Sequence, residues 1–374
     1  MRLLKSIQRD PKIAREFAQC VEDNRPYRLT DMKLYLTRRC NLRCVMCNAW
    51  AAEPKPDGRD ELSTGEVLCV VDQARPLGLA DLKLFGGEPM LRSDLEVIVE
   101  HAARLGIRCT LITNGTLLTE QRAQRLVEAG LAQLDLSLDA GEAALHDAIR
   151  GVPGTWLRAT HGLQAMQSAA HALRRRVAIR VNAVVMRHNY LDLPKMISRL
   201  AALAVDEIVL SPVVPQAANE RGTAPQYVLR REDIALYNAE IAPATAGQAT
   251  PYRLSKSRDS LYLYGMSEQD IERASEGRYV DRLGVTCCFK PWYYVVVREN
   301  GDVAGCNTVK HPTAHIGNIR EASLEELWGS ERYRTFRADC KPPRFAGCAR
   351  CCYNFALVNK QIQEALVSAT ARTL

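Results

Sequence analysis

The sequence lacks long apolar runs, and this absence excludes one broad class of protein. No stretch of about 18 consecutive apolar residues occurs in the 374 residues, so no segment is predicted to span a membrane. The N-terminal residues MRLLKSIQRDPK contain no apolar core of the kind that a secretory signal needs. The sequence therefore predicts a cytoplasmic protein.

A basic stripe is also missing. The formal net charge is +7, but lysine and arginine are scattered, and the longest cluster is the triplet Arg174-Arg175-Arg176. Charge spread in this way argues against nucleic acid as a partner. The composition, 47% hydrophobic and 25% charged, is that of an ordinary globular protein, and the length predicts two domains.

Thirteen cysteines stand out against these absences, and without a secretory signal they indicate metal binding rather than disulfides. In LTRRCNLRCVMCNAW (residues 36–50), Cys40, Cys44 and Cys47 lie within eight positions, and no fourth cysteine follows nearby. A closed zinc site needs four ligands, so three thiolates predict a centre that keeps one position open for a substrate. An iron–sulfur cubane meets this need more naturally than a catalytic zinc, which favours histidine and carboxylate ligands.

Between about residues 33 and 210, short β-rich runs alternate with amphipathic helical patterns. The six runs are KLYLT (33–37), DLKLF (81–85), RCTLIT (108–113), QLDLSL (133–138), AIRVNAVV (178–185) and DEIVLS (206–211). Ser63 with Glu66 and Ser93 with Glu96 have capping-box spacing, and Thr119 is placed to cap a further helix. The alternation predicts βα units and a parallel sheet, with the ligand site at the carboxyl ends of its strands.

The cysteine triplet directly follows the first of these strands, and its CxxxCxxC pattern resembles the signature of the radical S-adenosylmethionine (SAM) superfamily. The resemblance implies a partial (β/α)6 barrel in which three thiolates hold a 4Fe–4S cluster and SAM ligates the fourth iron. It also implies reductive cleavage of SAM to a 5′-deoxyadenosyl radical that abstracts hydrogen from a substrate. An electron donor such as flavodoxin or ferredoxin would then be a partner.

Motifs after the next two strands match SAM-binding positions of this family. GGEP follows the second strand, and Gly86, Gly87 and Glu88 match the glycine-rich motif whose backbone receives the SAM amino group. Glycines suit this role because they let the backbone approach a ligand closely. TNGT closes the third strand and makes Asn114 a candidate polar contact.

Further SAM contacts are implied after the fourth and fifth strands. LSLDA closes the fourth strand, and the two-residue alternation of a strand predicts Ser137 and Asp139 on one face. By resemblance, Ser137 and Arg150 hold the ribose and carboxylate regions of SAM, and arginine suits a carboxylate because its fork can bond both oxygens. Asn182 on the fifth strand is a further candidate, although a buried structural asparagine would look the same.

A second group of cysteines begins near residue 285, beyond the region in which β-rich runs alternate with helical patterns. Cys288 and Cys306 flank a predicted hairpin with a strand at YYVVV (293–297) and a turn at ENGD (299–302), and Cys348 and Cys351 form a CxxC pair. A zinc ribbon would use such pairs. The arrangement, with HIGNIREASLEELWGSERY (315–333) between the pairs, instead resembles the SPASM/twitch extension of radical SAM enzymes, which carries auxiliary 4Fe–4S clusters.

The resemblance implies one auxiliary cluster held by these four cysteines. A full SPASM domain needs seven cysteines, and none follows Cys352 here. Three adjacent cysteines could replace a neighbouring ligand or, if they ligate nothing, act as hydrogen donors; these are Cys287, Cys340 and Cys352. Three others are predicted to be small buried hydrophobes, namely Cys20, Cys69 and Cys109.

The predicted organisation has four parts. A helical extension (1–32) precedes the radical SAM core (33–211). A connector that could cover the substrate (212–285), with helices predicted near 231–241 and 267–276, leads to a SPASM/twitch domain (286–374). This domain is predicted to contain a hairpin, a short amphipathic helix over 323–336 and C-terminal helices. The 32 residues before the first strand are too few for the leader-binding domain of many peptide-modifying relatives. The cysteine layout is also similar to that of carbohydrate-oxidising twitch enzymes.

The sequence therefore favours an oxidoreductase of natural product biosynthesis that acts on a small sugar-like or aminocyclitol-like molecule. It would oxidise or epimerise a secondary alcohol carbon, and oxidation is favoured because a fully ligated auxiliary cluster can accept an electron. The enzymatic alternative is modification of a ribosomally made peptide by thioether formation or epimerisation. The non-enzymatic alternative is a two-zinc scaffold or nucleic-acid-binding protein.

Overall fold

A computed structural model of the chain describes residues 2–47, 61–213, 225–241, 253–254, 269, 272, 283–307, 311–343, 345, 348 and 353–371. Its core is a parallel sheet whose strands lie side by side in chain order. These strands are β1 (Asp31–Tyr35), β2 (Asp81–Phe85), β3 (Arg108–Thr113), β4 (Gln133–Ser137), β5 (Ala178–Val185) and β6 (Glu207–Pro212). The six predicted strands and the mixed α/β fold are confirmed.

Helices connect the parallel strands. They are α3 (Thr64–Ala74), α4 (Leu95–Arg104), α5 (Glu120–Glu128), α6 (Ala143–Arg150), α7 (Thr155–Ala172) and α8 (Leu193–Ala202), after the N-terminal α1 (Arg2–Arg9) and α2 (Pro11–Glu22). The capping box of Ser63 with Glu66 is confirmed, and the Thr119 hydroxyl accepts a hydrogen bond from Arg122 N at the start of α5.

The predicted cap at Ser93 is wrong. The N-cap of α4 is Asp94, whose side chain makes no capping hydrogen bond. Its two carboxylate oxygens accept instead from Arg92 and from the Thr64 hydroxyl. Arg92 and the Thr64 hydroxyl of α3 therefore engage the carboxylate at the start of α4, and this carboxylate makes no capping contact.

Strand alternation separates two faces of the sheet. Met32 and Leu34 of β1 are fully buried in the hydrophobic core, as are Leu82 and Leu84 of β2. The intervening side chains of both strands are only partly buried. Because successive side chains of a strand point to opposite faces, these residues line the other face of the sheet; they are Lys33, Tyr35, Lys83 and Phe85.

The C-terminal hairpin extends the same sheet. It consists of β8 (Tyr294–Val297) and β9 (Asp302–Ala304), with β10 (His315–Asn318) antiparallel to β9, and the short β7 (Arg253–Leu254) lies at the opposite end beside β6. Strand β8 pairs in parallel with β1, so the order is β10-β9-β8-β1-β2-β3-β4-β5-β6-β7. The predicted hairpin is confirmed, and Gly301 takes a left-handed φ of 89° in its turn.

The remaining described helices lie in the predicted connector and in the predicted SPASM/twitch domain, and they agree with the predicted helices only in part. SLEELWGSERYRTF forms two helices, α10 (Leu324–Gly329) and α11 (Glu331–Ala338), separated by the extended Ser330. Residues 231–241 form α9 (Arg231–Leu236) and a π-helical turn, and α12 (Tyr353–Ala371) packs on α1 and α2. Most of the predicted connector, including the helix predicted near 267–276, lies outside the described residues. Within the described part of the chain, no helix combines the length and apolarity needed to cross a membrane.

Candidate active site

The loop that carries the first three cysteines leaves β1 and is fastened to the end of α6. Arg43 N donates to Arg150 O at 3.0 Å, and Val45 N donates to Ile149 O at 2.9 Å. Gly151 follows α6 with a left-handed φ of 71°, and a Cβ at this position would overlap the Arg43 carbonyl. The close approach therefore requires glycine, although no sequence motif marks this position.

The GGEP loop packs against the backbone of the same cysteine loop. Gly87 N donates to Thr37 O and Glu88 N to Arg39 O, both at 2.8 Å. A Cβ on Gly86 would overlap the Thr37 carbonyl, and a Cβ on Gly87 would overlap the Arg39 carbonyl. The two glycines thus bring the carboxyl ends of β1 and β2 together with no side chain between them.

Glu88 is turned into the protein. It is 1% exposed, and its carboxylate accepts from the Thr113 hydroxyl at 2.7 Å, from Asn114 N at 2.8 Å and from Met90 N at 3.0 Å. Burial raises the pKa of this carboxyl, and the three donors oppose that rise. Glu88 therefore ties the end of β2 to the end of β3, a use that its motif does not reveal.

Asn114 links β3 to the cysteine loop. Its Nδ2 donates to Asn41 Oδ1 at 2.9 Å, and its Oδ1 accepts from Thr116 N and from the Thr116 hydroxyl. Asn41 Nδ2 donates in turn to the Thr116 hydroxyl at 2.8 Å. Asn41 and Thr116 were missed by sequence reasoning, although both lie within the motifs that it quoted.

Ser137 and Asn182 are neighbours on adjacent strands. They are register partners of β4 and β5, so their side chains share one face of the sheet. Strand β4 ends at Ser137, and the predicted alternation does not extend to Asp139. Asp139 lies instead in the following loop and is fully buried.

Arg150 is the buried partner of Asp139. Its Nη2 lies 2.8 Å from Asp139 Oδ2, and its Nη1 donates to Cys44 Sγ at 3.7 Å. Only 7% of Arg150 is exposed. The expected contact of Arg150 with the carboxylate of SAM stays a prediction, and the contacts that the protein itself makes are with a carboxylate and a thiol.

The three thiols differ in accessibility. Cys44 is buried, Cys40 is half-buried and Cys47 is exposed. Burial raises the pKa of Cys40 to about 11, and burial also raises that of Cys44 against the opposing charge of Arg150. A soft metal centre that binds thiolates would displace these protons.

These residues fit an iron–sulfur cluster by their chemistry. The donors are soft thiols on one loop, the glycine pair leaves room for backbone contact, and polar side chains surround the loop. Among the described residues, no three or more His, Cys, Asp or Glu side chains lie in positions that could hold a metal ion without rearrangement. The ligand assignments therefore stay predictions.

In the C-terminal group, Cys340 contacts Cys288, and Cys306 and Cys348 lie near enough to interact with these thiols electrostatically. Cys288 N donates to Cys340 O at 3.1 Å, and the hydrogen bond from the Cys340 thiol holds the pKa of Cys288 down at about 7. Cys348 interacts electrostatically with Cys288 and Cys306, and Cys340 with Cys306 and Cys348. Cys351 and Cys352 lie outside the described residues, and their roles stay predictions.

The other cysteines divide by exposure. Cys287 is buried, and burial raises its pKa to about 12. Cys20 and Cys109 are buried as predicted, but Cys69 is exposed and that prediction is wrong. Cys69 lies on the solvent side of α3, where its Sγ accepts from Gln73 Nε2 at 3.2 Å.

Aromatic rings and cations meet where β1 and β2 end, a feature that sequence reasoning missed. The rings of Tyr35 and Phe85 pack edge to face with centroids 4.9 Å apart. Lys33 Nζ lies 3.7 Å from the Phe85 centroid, and Arg298 Cζ lies 5.5 Å from the Tyr35 centroid. Because the cysteine loop and the GGEP loop begin immediately after these two rings, the group borders the candidate site.

Comparison with known protein families matches two parts of the chain. The profile described as "Radical SAM superfamily" matches residues 34–200. The SPASM profile, described as "Iron-sulfur cluster-binding domain", matches residues 287–352.

Curated relatives and solved structures cover most of the chain. An "AdoMet-dependent heme synthase" from Oleidesulfovibrio alaskensis is 29% identical over 331 residues, which is 85% of this chain and 79% of the relative. An "Fe-coproporphyrin III synthase" from Methanosarcina barkeri is 26% identical over 330 residues, with 85% and 77% covered. Streptococcus suis SuiB bound to S-adenosylmethionine superposes with a TM-score of 0.64 at 17% identity, over 87% of this chain and 72% of SuiB. At this identity the structural likeness shows the fold alone.

Proposed function

Because the chain belongs to the radical SAM superfamily and carries a C-terminal SPASM iron–sulfur domain, we propose that it oxidises a substrate of the iron-tetrapyrrole class. The observation that carries the SAM-binding part of the proposal is the junction of three loops at the carboxyl ends of β1, β2 and β3. There the cysteine loop, the GGEP loop and Asn114 are joined by direct hydrogen bonds. Open α/β sheets bind their ligands at this edge.

Each loop has a separate task in this proposal. Cys40, Cys44 and Cys47 hold the SAM-binding cluster, and Ser137 with Asn182 contacts the ribose of SAM. When bound, the cluster and SAM supply reductive cleavage of SAM and hydrogen abstraction from an unreactive C–H bond. The backbone of Gly86 and Gly87 receives the SAM amino group, while Glu88 keeps the receiving loop rigid through its three hydrogen bonds.

The substrate class rests on the relatives and on the aromatic and cationic group. Two relatives are named for haem and for Fe-coproporphyrin III, and such tetrapyrroles are flat, aromatic and edged with carboxylates. The rings of Tyr35 and Phe85 offer an apolar surface, and Lys33 and Arg298 offer positive charge beside it. Arginine in particular can bond both oxygens of a carboxylate.

The sugar-like or aminocyclitol-like substrate that the sequence favours finds no support among these relatives. Peptide modification has a structural neighbour in SuiB, which has also been solved bound to its precursor peptide SuiA, but only at the level of the fold. Both substrate classes therefore belong in the test as competitors.

The test is an anaerobic turnover assay on the reconstituted protein. The protein should bind about eight irons per chain, four for each cluster, and release 5′-deoxyadenosine with SAM and dithionite. We expect iron-coproporphyrin III to be consumed with a change of mass, and an aminocyclitol or an unmodified peptide to be returned unchanged. Consumption of an aminocyclitol or peptide, and not of the tetrapyrrole, would overturn the substrate class.

Substitution of Lys33 tests the recognition of the substrate carboxylates separately. Lys33→Met should raise the KM for the carboxylate-bearing substrate about tenfold, which corresponds to about 1.4 kcal/mol. Lys12→Met removes the same charge from an exposed position on α2 and should leave that KM unchanged. An equal effect of both substitutions would remove Lys33 from the proposed substrate contacts.

A further inference from the structure

Arg150 joins the cysteine loop to a buried acid that no motif assigns. Its Nη1 donates to Cys44 Sγ at 3.7 Å, and its Nη2 lies 2.8 Å from Asp139 Oδ2. Asp139 is 0% exposed and Arg150 is 7% exposed. A buried ion pair is costly to form, so we expect both members of the pair to have further hydrogen-bond partners in the protein.

The protein fixes both members of the pair. Asp139 Oδ1 accepts from Val184 N at 2.9 Å, and Asp139 N donates to His146 Nδ1 at 3.2 Å. On the other side, the Arg150 backbone carbonyl accepts from Arg43 N, inside the cysteine loop. The guanidinium is therefore held towards one particular sulfur and has little freedom to turn away.

We propose that Arg150 is a positioning residue that raises the reduction potential of the SAM-binding cluster by donating to the Cys44 sulfur, and that Asp139 acts on this potential with the opposite sign. The inference rests on the proposed assignment of Cys44 as a cluster ligand. Reduction adds negative charge to the cluster, so a hydrogen bond and a positive charge at a ligand sulfur stabilise the reduced form. A buried carboxylate behind the guanidinium weakens that stabilisation.

This role differs from the contact with the SAM carboxylate that the sequence resemblance implies for Arg150. Both terminal nitrogens of its guanidinium already face groups of the protein, one a thiol and one a carboxylate. A SAM contact alone would make the affinity for SAM depend on Arg150. The proposed role instead makes the potential depend on both Arg150 and Asp139.

The experiment measures the midpoint potential of the SAM-responsive cluster by redox titration followed by EPR, in the full chain reconstituted with iron and sulfide. The signal of this cluster is identified as the one that SAM perturbs. We expect Arg150→Gln to shift the potential to more negative values and Asp139→Asn to shift it to less negative values. Arg158→Gln, which removes an exposed arginine at the start of α7, should leave it unchanged.

Opposite signs are the decisive result, because a merely structural pair would shift both variants in one direction or cost both their iron. Shifts of one sign, or unchanged potentials with weakened SAM binding, would overturn the proposal and return Arg150 to the SAM carboxylate. If Arg150→Gln retains no iron, the comparison of Asp139→Asn with Arg150→Lys decides. Asp139→Asn should then raise the potential, and Arg150→Lys should not. Absence of any SAM-perturbed signal in the unmodified protein would instead count against the proposed function.

Discussion

His146 is a buried imidazole that the fold keeps neutral. Its Nδ1 accepts from Asp139 N, so this nitrogen must be unprotonated in the folded protein. Burial lowers the pKa of His146 to about 3, and the Arg150 charge adds to the effect against the opposing charge of Asp147. The unfolded chain takes up this proton near pH 6.5 and the folded protein does not, so stability is present above pH 6.5 and is lost as the pH falls.

The expected loss is about 1.4 kcal/mol of unfolding free energy between pH 7.5 and pH 5.5 from this one group. Unfolding measured anaerobically across this range checks the value. His146→Gln has no titrating imidazole and should show a correspondingly smaller loss. A variant with the same pH dependence as the unmodified protein would show that other groups cause the loss.

Cys340 is expected to be a ligand of the auxiliary cluster, because its thiol contacts Cys288 and it interacts with Cys306 and Cys348. Cys340→Ala should lower the iron content from about eight to about four per chain, while SAM cleavage with dithionite persists. Cys287→Ala removes a neighbouring buried thiol and should keep the full iron content. Full iron in Cys340→Ala together with loss in Cys351→Ala would favour the ligand set that the sequence predicts.

Residue identities within the motifs could be predicted from the sequence, but their partners could not. Gly86, Gly87 and Asn114 follow strands at the expected places, because motif spacing and strand ends are local properties. Thr113 and Asn114, which donate to Glu88, and Cys44, which accepts from Arg150, come from other βα units, and the register and loop paths that bring them together are not encoded locally. The exposed Cys69 shows the same limit, since its place on α3 depends on which face of the helix packs.

At the level of elements, the close contact of the GGEP loop with the cysteine loop depends on Gly87. A Cβ there would overlap the carbonyls of Arg38 and Arg39, which are backbone atoms and cannot move aside alone. Gly87→Ala should therefore destabilise the fold by about 1–3 kcal/mol, the usual cost of overpacking, and reduce iron binding at the first site. Thermal unfolding and an iron assay measure the two effects.

Gly65 provides the matched control in a helix. It lies in the first turn of α3, and a Cβ there would meet nothing within 4 Å. Gly65→Ala should be neutral or stabilise by about 0.5–1 kcal/mol, because alanine loses less backbone entropy than glycine in a helix. Equal destabilisation by both substitutions would show that the loop contact at Gly87 is not special.

Strands and most helix starts were predictable because their signals are periodic and local. The cap at Ser93 failed for a tertiary reason, since Arg92 and Thr64 engage the carboxylate of Asp94 and the helix starts one residue later. The segment 323–336 was predicted as one helix because its apolar periodicity is continuous. Ser330 divides it by ending α10 and capping α11 with its own hydroxyl.

At the scale of the whole molecule, one sheet contains strands from both regions that match family profiles, residues 34–200 and 287–352. Strand β8 of the C-terminal hairpin is the parallel neighbour of β1, the strand that leads to the first cysteine loop. Trp292 is fully buried just before β8, and its Nε1 donates to Cys20 O at the end of α2. The sequence could predict the hairpin but not this pairing, because strands far apart in the chain leave no local signal of which edge they join.

Charged contacts also join the same two regions. Arg320 Nε lies 2.6 Å from Glu66 Oε1, and Arg38 forms an ion pair with the buried Glu299. The Arg320 hydrogen bond and the capping contact with Ser63 hold the pKa of Glu66 down at about 2. The partly exposed Arg320–Glu66 pair is individually weak, so we expect the buried sheet pairing to carry most of the association.

The two regions should therefore stay associated after the chain between them is cut. A specific protease site inserted between residues 255 and 268, outside the described residues, separates β1–β7 from β8–β10 covalently but leaves the β1–β8 pairing intact. We expect the two fragments to co-elute in size-exclusion chromatography after cleavage, with the iron content retained. Each fragment expressed alone should aggregate, because it exposes either the edge of β1 or the apolar face around Trp292. Elution of two separate, folded fragments would show that the sheet pairing contributes little and that the regions are independent domains.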